Sequence, residues 1–154
     1  MADRVIETRF WLPRPRAEVF AFFADPRHLA WLTPRLRWRV SPPPLEAGAV
    51  LDFRIFILGV PTTWRVIVRE WDPPYRFVNA LVRGPFTRWE HRHRFLEGPE
   101  HEAPGARVGT WVEDRVTYRL PGGPLGAALD VLGAGARIAA AFTHRERQAR
   151  GILA

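Results

Sequence analysis

His91 and His93 stand two residues apart, a spacing that on an extended chain puts both imidazoles on one face, and Asp114 interrupts an otherwise apolar row further along. An imidazole titrating near neutrality beside a carboxylate that orients it is equipment for moving protons, suited to enolisation or dehydration. Two histidines and a carboxylate are also the donor set of a facial metal triad. No further clear ligand shares their rows and the chain has no cysteine, so neither a metal nor any other cofactor is expected. The plainer reading is that His91, Asp114 and the hydroxyl of Tyr118 satisfy one another in an apolar interior, where an unpartnered polar group costs about 1–3 kcal/mol. Catalysis by His91, His93 and Asp114 is therefore the alternative, and orientation of a bound molecule the primary expectation. Covalent chemistry has no support: Gly-x-Ser-x-Gly and Gly-x-x-x-x-Gly-Lys are absent, and all 23 basic residues are arginine, which leaves no lysine for a Schiff base.

Two strands must carry these groups. Trp89, His91, His93 and Phe95 alternate with Arg88, Glu90, Arg92 and Arg94, the period-two pattern of a half-buried strand. Val108, Thr110, Val112, Asp114, Val116, Tyr118 and Leu120 form a second row, against Arg107, Trp111, Glu113, Arg115, Thr117 and Arg119 on the other face. Antiparallel pairing through the loop from Glu97 to Arg107 would set Asp114 opposite or diagonal to His91, within hydrogen-bond reach. Trp89 shares its row with the histidines, which makes it the best aromatic wall for a ring or an acyl chain; the other six tryptophans are read as ordinary packing or surface residues.

The rest of the chain supplies a frame. Val5 to Leu12 alternates as a first strand, and Pro13 and Pro15 stop it and prepare a helix in which Val19, Phe20 and Phe23 make one buried stripe. Asp25 caps a second short helix with Pro26 at its first position and Leu29 and Leu32 facing inward, and Pro34 ends it. Strands are expected at about 35–40, 49–58, 62–72 and 75–83, separated by proline-rich turns too short for crossover helices, so the pairing is antiparallel throughout. After Pro121-Gly122-Gly123-Pro124, apolar residues recur at Leu125, Leu129, Leu132, Ala136, Ala139 and Phe142, which reads as one long amphipathic helix with arginines in its last turns.

A chain of 154 residues without a composition break is expected to be one domain over 1–154. The formal charge of +7 invites a polyanion, yet the arginines are spread from Arg4 to Arg150 among acids instead of concentrated on one element, which argues against nucleic acid. Peripheral attraction to anionic lipid stays open. The apolar runs are far too short to span a bilayer, and a charged N-terminus without cysteines anywhere favours the cytoplasm.

The order of strand, two short helices, strand meander and long C-terminal helix resembles the helix-grip fold of the START-like or SRPBCC superfamily, an α+β class with a curved antiparallel sheet of about seven strands around that helix. Pro15-Arg-Ala-Glu-Val-Phe-Ala-Phe-Phe-Ala-Asp-Pro-Arg-His-Leu29 followed by Leu32-Thr-Pro34 is similar to the opening signature of its bacterial ligand-binding, cyclase/dehydrase-like branch. Gly84-Pro85-Phe86, the row from Trp89 to Phe95, Asp114 to Pro121 and Gly123-Pro124-Leu125-Gly126 are similar to the branch's central and closing motifs. The resemblance implies a cavity between sheet and helix but does not supply its substrate; the expectation is a hydrophobic or aromatic small molecule, lipid, polyketide or isoprenoid-like, held by a carrier or sensor. Its expected lining is Trp89, His91, His93, Phe95, Val112, Asp114, Val116, Tyr118, Leu129, Leu132 and Ala136. A cyclase or dehydratase, and a partner-binding module with a filled interior, are the alternatives.

Overall fold

The computed structural model describes residues 2–57 and 59–154. Seven strands form one antiparallel sheet in the order β1-β7-β6-β5-β4-β3-β2: β1 (Arg4–Leu12), β2 (Leu36–Trp38), β3 (Val50–Ile57), β4 (Val60–Asp72), β5 (Arg76–Arg83), β6 (Arg88–Pro99) and β7 (Val108–Arg119). Every expected strand is present, with β2 reduced to three residues. The expected strand end at residue 58 lies outside the described residues. Helix α1 (Arg16–Ala24) buries Val19, Phe20, Phe22 and Phe23, and Asp25 then accepts the Arg27 N–H at 2.9 Å to start a turn of 3-10 helix that runs into α2 (Leu29–Leu32).

The C-terminal segment departs from expectation. It is two helices, α3 (Gly123–Val131) and α4 (Ala134–Leu153), bent by 54° at the break between them. Gly133 causes the break: it sits at φ 76°, the left-handed region that glycine enters without penalty, and its N–H donates to the Asp130 carbonyl. The buried stripe of α4 is Ile138, Phe142, Arg145, Ala149 and Leu153, whereas Leu132 and Ala136 face solvent. Among the described residues no single helix is long and apolar enough to cross a membrane, although the bent pair meets that test by length and composition.

Phenylalanines fill the interior at one end. Phe20 meets Phe77 and Phe95 edge-on at 5.6 and 5.3 Å, and Phe10 and Phe23 close the same cluster beneath α1 and the end of α4. At the other end Leu36, Leu51, Phe53, Trp64 and Val66 pack more openly, with Leu29, Trp38, Ile55, Leu81, Phe86 and Trp89 only partly covered. The helix backbone of α4 lies close to β1, α2 and α3. It reaches the middle of the sheet through two long side chains, Phe142 and Arg145.

Candidate functional site

Register brings the expected polar groups together. On β6 and β7, His93 is directly opposite Asp114 and His91 is opposite Val116, so Asp114 is diagonal to His91. The His91 Nε2–H donates to Asp114 Oδ1 at 2.8 Å, and His93 Nδ1 lies 3.0 Å from the same oxygen. The two imidazoles lie 3.7 Å apart, and Phe77 stacks on His93 at 4.1 Å. Arg145, from the buried stripe of α4, completes the group: its Nη2 is 3.1 Å from His93 Nδ1, its Nε is 3.5 Å from Asp114 Oδ2, and its guanidinium lies over the Phe23 ring. From the sequence Arg145 reads only as one of the arginines suited to a helix C-terminus, so its place in this group is missed.

Charge in this group is fixed by burial. Desolvation pushes both histidines down, the His93 pKa to about 3, with the neighbouring imidazole adding to the fall. Burial pushes the Asp114 carboxyl up, but Arg145 together with the histidine hydrogen bonds outweighs this and holds it well below the usual carboxylate range. At neutral pH the group is an ion pair, Asp114 and Arg145, with two neutral imidazoles. His91 spends its proton on Asp114, which leaves Nδ1 as a lone-pair acceptor. Of the four side chains His91 is the most open, at 12% exposure.

A second polar residue shares this face. Asn79 on β5 is directly opposite His91, and its Oδ1 is buried with no partner among the described residues. A buried acceptor left unpaired is uncommon and points to a missing partner. His93 Nε2 is likewise unpartnered, in either tautomer that Nδ1 allows. The signal for Asn79 was in the sequence: Phe77, Asn79 and Leu81 form an alternating row with one polar member, the same pattern that exposed His91 and Asp114.

Other expected residues are placed differently. Tyr118 makes no hydrogen bond to His91 or Asp114 among the described residues; its hydroxyl lies against α4, 3.0 Å from where a Cβ on Gly135 would stand. Its ring packs with Phe86 and Trp89. Phe95, Val112 and Val116 are sealed in the core: Phe95 and Val112 pack in the phenylalanine cluster, and Val116 packs with Tyr118, Ile138 and Phe142. Leu132, at the C-terminal end of α3, and Ala136, in the first turn of α4, flank the break at Gly133 and point outward, and Leu129 is half-buried on α3 beside the aromatic end. Trp89 stands where expected, partly open, with its ring edge-on to Trp64 at 5.2 Å and tilted against Phe86 at 5.4 Å. Two surface concavities are defined elsewhere: about 220 Å³ beside Trp11 and Arg107, and about 520 Å³ lined by Arg37, Trp38, Arg39, Arg54 and Phe56.

The donor atoms of His91, His93 and Asp114 come within 4.8 Å of one another, close enough to hold an ion. The Arg145 guanidinium already faces the same carboxylate, and its positive charge opposes a dication there.

A seven-stranded antiparallel sheet with a long C-terminal helix is the architecture of the START-like class of helix-grip proteins. Residues 12–145 match the family model for polyketide cyclase/dehydrase and lipid transport, and the chain belongs to that family. No curated protein matches it significantly. Its fold is similar to that of TTHA0849 from Thermus thermophilus, at 19% identity and TM-score 0.72 over 98% of this chain and 100% of that one. A START superfamily protein from Mycobacterium smegmatis (14% identity, TM-score 0.67, 97% and 96% covered) shares the fold. So does the major latex-like protein 151 of Panax ginseng (11%, 0.67, 100% and 99%).

Proposed function

We propose that the chain binds a hydrophobic or aromatic small molecule, lipid, polyketide or isoprenoid-like, as a carrier or sensor in the cytoplasm. The supporting observation is the unfinished half of the interior. Trp38, Ile55, Leu81, Phe86 and Trp89 lie on or beside the concave face yet stay partly open, and the same face carries Asn79 Oδ1, buried without a partner among the described residues, and His91, whose Nε2 alone is engaged. An apolar body lying on the aromatics, with a hydroxyl donating to His91 or Asn79, satisfies both features. The sealed phenylalanine end restricts the molecule to the β2–β6 half.

Native mass spectrometry of gently purified protein, with extraction of any mass lost on denaturation, tests this. A lipophile released by wild type and absent from Trp89→Ala supports it. If neither retained nor added lipophiles bind, the filled-module alternative replaces it.

A second reading rests on the His91–Asp114 bond, the geometry of an oriented general base. His91 Nδ1 would take a proton from carbon beside a substrate carbonyl while the electron pair moves to the carbonyl oxygen, as enolisation requires. Loss of turnover in His91→Ala with ligand binding retained selects catalysis over carriage.

A further inference from the structure

The convex face of the sheet carries the net charge of the chain in an organised way. Asp52 pairs with Arg39 and Arg65, Glu90 with Arg69 and Arg92, Glu113 with Arg9 and Arg94, and Asp3 with Arg88 and Arg119. Each carboxylate is thus shared by two guanidiniums. At the β2–β3 edge even this sharing stops: Arg35, Arg37 and Arg54 have no acidic partner among the described residues, and Arg37 is directly opposite Arg54 in the register. Like charges facing each other across a strand pair destabilise it. An anionic partner turns that repulsion into affinity.

The apolar residues beside these arginines say which kind of partner fits. Phe56 and Val60, at the end of the β3–β4 hairpin, are 37% and 60% exposed, and Val40 just past β2 is 63% exposed. Arg37, Arg39 and Arg54 together with Trp38 and Phe56 line the concavity of about 520 Å³. A nucleic-acid backbone has no use for exposed aliphatic side chains at a hairpin end. A bilayer interface meets both, phosphates at the guanidiniums and acyl-chain boundary at Phe56 and Val60.

We propose that the β2–β3 edge docks the protein on an anionic membrane surface. The proposal stands apart from the ligand reading, although the inner side of the same strands carries Ile55 and Trp38 of the half-open cluster.

Sedimentation with phosphatidylcholine vesicles, with and without phosphatidylglycerol, tests it. Wild type is expected to bind only the anionic vesicles, less at high salt. The double variant Arg37→Glu/Arg54→Glu should bind at least about thirtyfold more weakly, whereas Arg9→Glu/Arg115→Glu, with the same change in net charge elsewhere on the face, stays within about fivefold of wild type. Phe56→Ser should lose the binding that survives high salt. Unchanged melting curves establish that the variants are folded, and a variant that fails this check is replaced by Arg37→Gln/Arg54→Gln. Equal loss in the two charge-reversal pairs overturns the proposal, as does retained binding in Arg37→Glu/Arg54→Glu. Preference for duplex DNA or free inorganic phosphate over vesicles also overturns it.

Discussion

Arg145 on α4 and Asp114 on β7 stand 3.5 Å apart with side chains 8% and 1% exposed, a buried ion pair that ties the long helix to the centre of the sheet. Asp114 also receives the His91 proton, so a single carboxylate holds an imidazole and a helix in place.

Removing one partner of a buried pair leaves the other charge uncompensated, at a cost of about 3–5 kcal/mol. Asp114→Asn, close in shape but neutral, is expected to lose that much stability in urea titration. Asp114→Leu combined with Arg145→Met should recover most of the loss. If the double variant is as unstable as the sum of the single changes, the two residues are not coupled.

Acid should destabilise the protein in two stages. His91 and His93 have folded pKa values below their ordinary value of about 6.5, so between that pH and about 3 the unfolded chain binds the extra protons and stability falls as pH falls. The slope approaches about 1.4 kcal/mol per pH unit for each proton of difference. Asp114, also depressed, adds its loss below about pH 4. Denaturant midpoints measured from pH 8 down to about 2 check both stages, and the slope between about pH 6 and 4 should shrink in His93→Phe.

Asn79→Leu separates binding from folding. Replacing a buried acceptor that has no partner among the described residues with a hydrocarbon should raise ligand-free stability by about 1–3 kcal/mol. Affinity for a hydroxyl-bearing probe such as 2-naphthol, followed by tryptophan fluorescence, should fall while that for naphthalene holds. A variant that is both less stable and unchanged in probe preference contradicts the assignment of Asn79 to the site.

Gly133→Ala decides whether the break is built in. In an uninterrupted helix alanine would stabilise by about 1 kcal/mol over glycine. At φ 76° it should instead destabilise by about 1–2 kcal/mol, and thermal melting gives the sign.

Strand rows were legible because period two survives tertiary context: the alternation through His91, His93 and Asp114 predicts their common face, and the register places them in contact. Helix phase was less legible. The apolar steps from Leu125 to Phe142 look continuous, but the helix breaks at Gly133, Leu132 and Ala136 on either side of the break face solvent, and Arg145, one turn past Phe142, continues the buried stripe. Nothing in periodicity distinguishes an arginine at a helix end from one that is needed to neutralise a distant buried aspartate. The extent of the space was illegible for a related reason. Phe10, Phe20, Phe23, Phe77 and Phe95 are scattered along the chain on β1, α1, β5 and β6, and only their packing shows that they fill one end.

The same break gives the molecule two levels of cooperativity. Helix α3 is held by buried Gly126, half-buried Leu129 and an exposed Arg4–Asp130 pair, while Leu125 and Val131 stand in water. Its amides should therefore exchange with solvent through a local opening, well before those of Ile138 to Ala149, which wait for loss of the whole structure. Because Leu129 packs in the cluster that contains Phe86 and Trp89, each such opening uncovers the aromatic end while α4 keeps its grip.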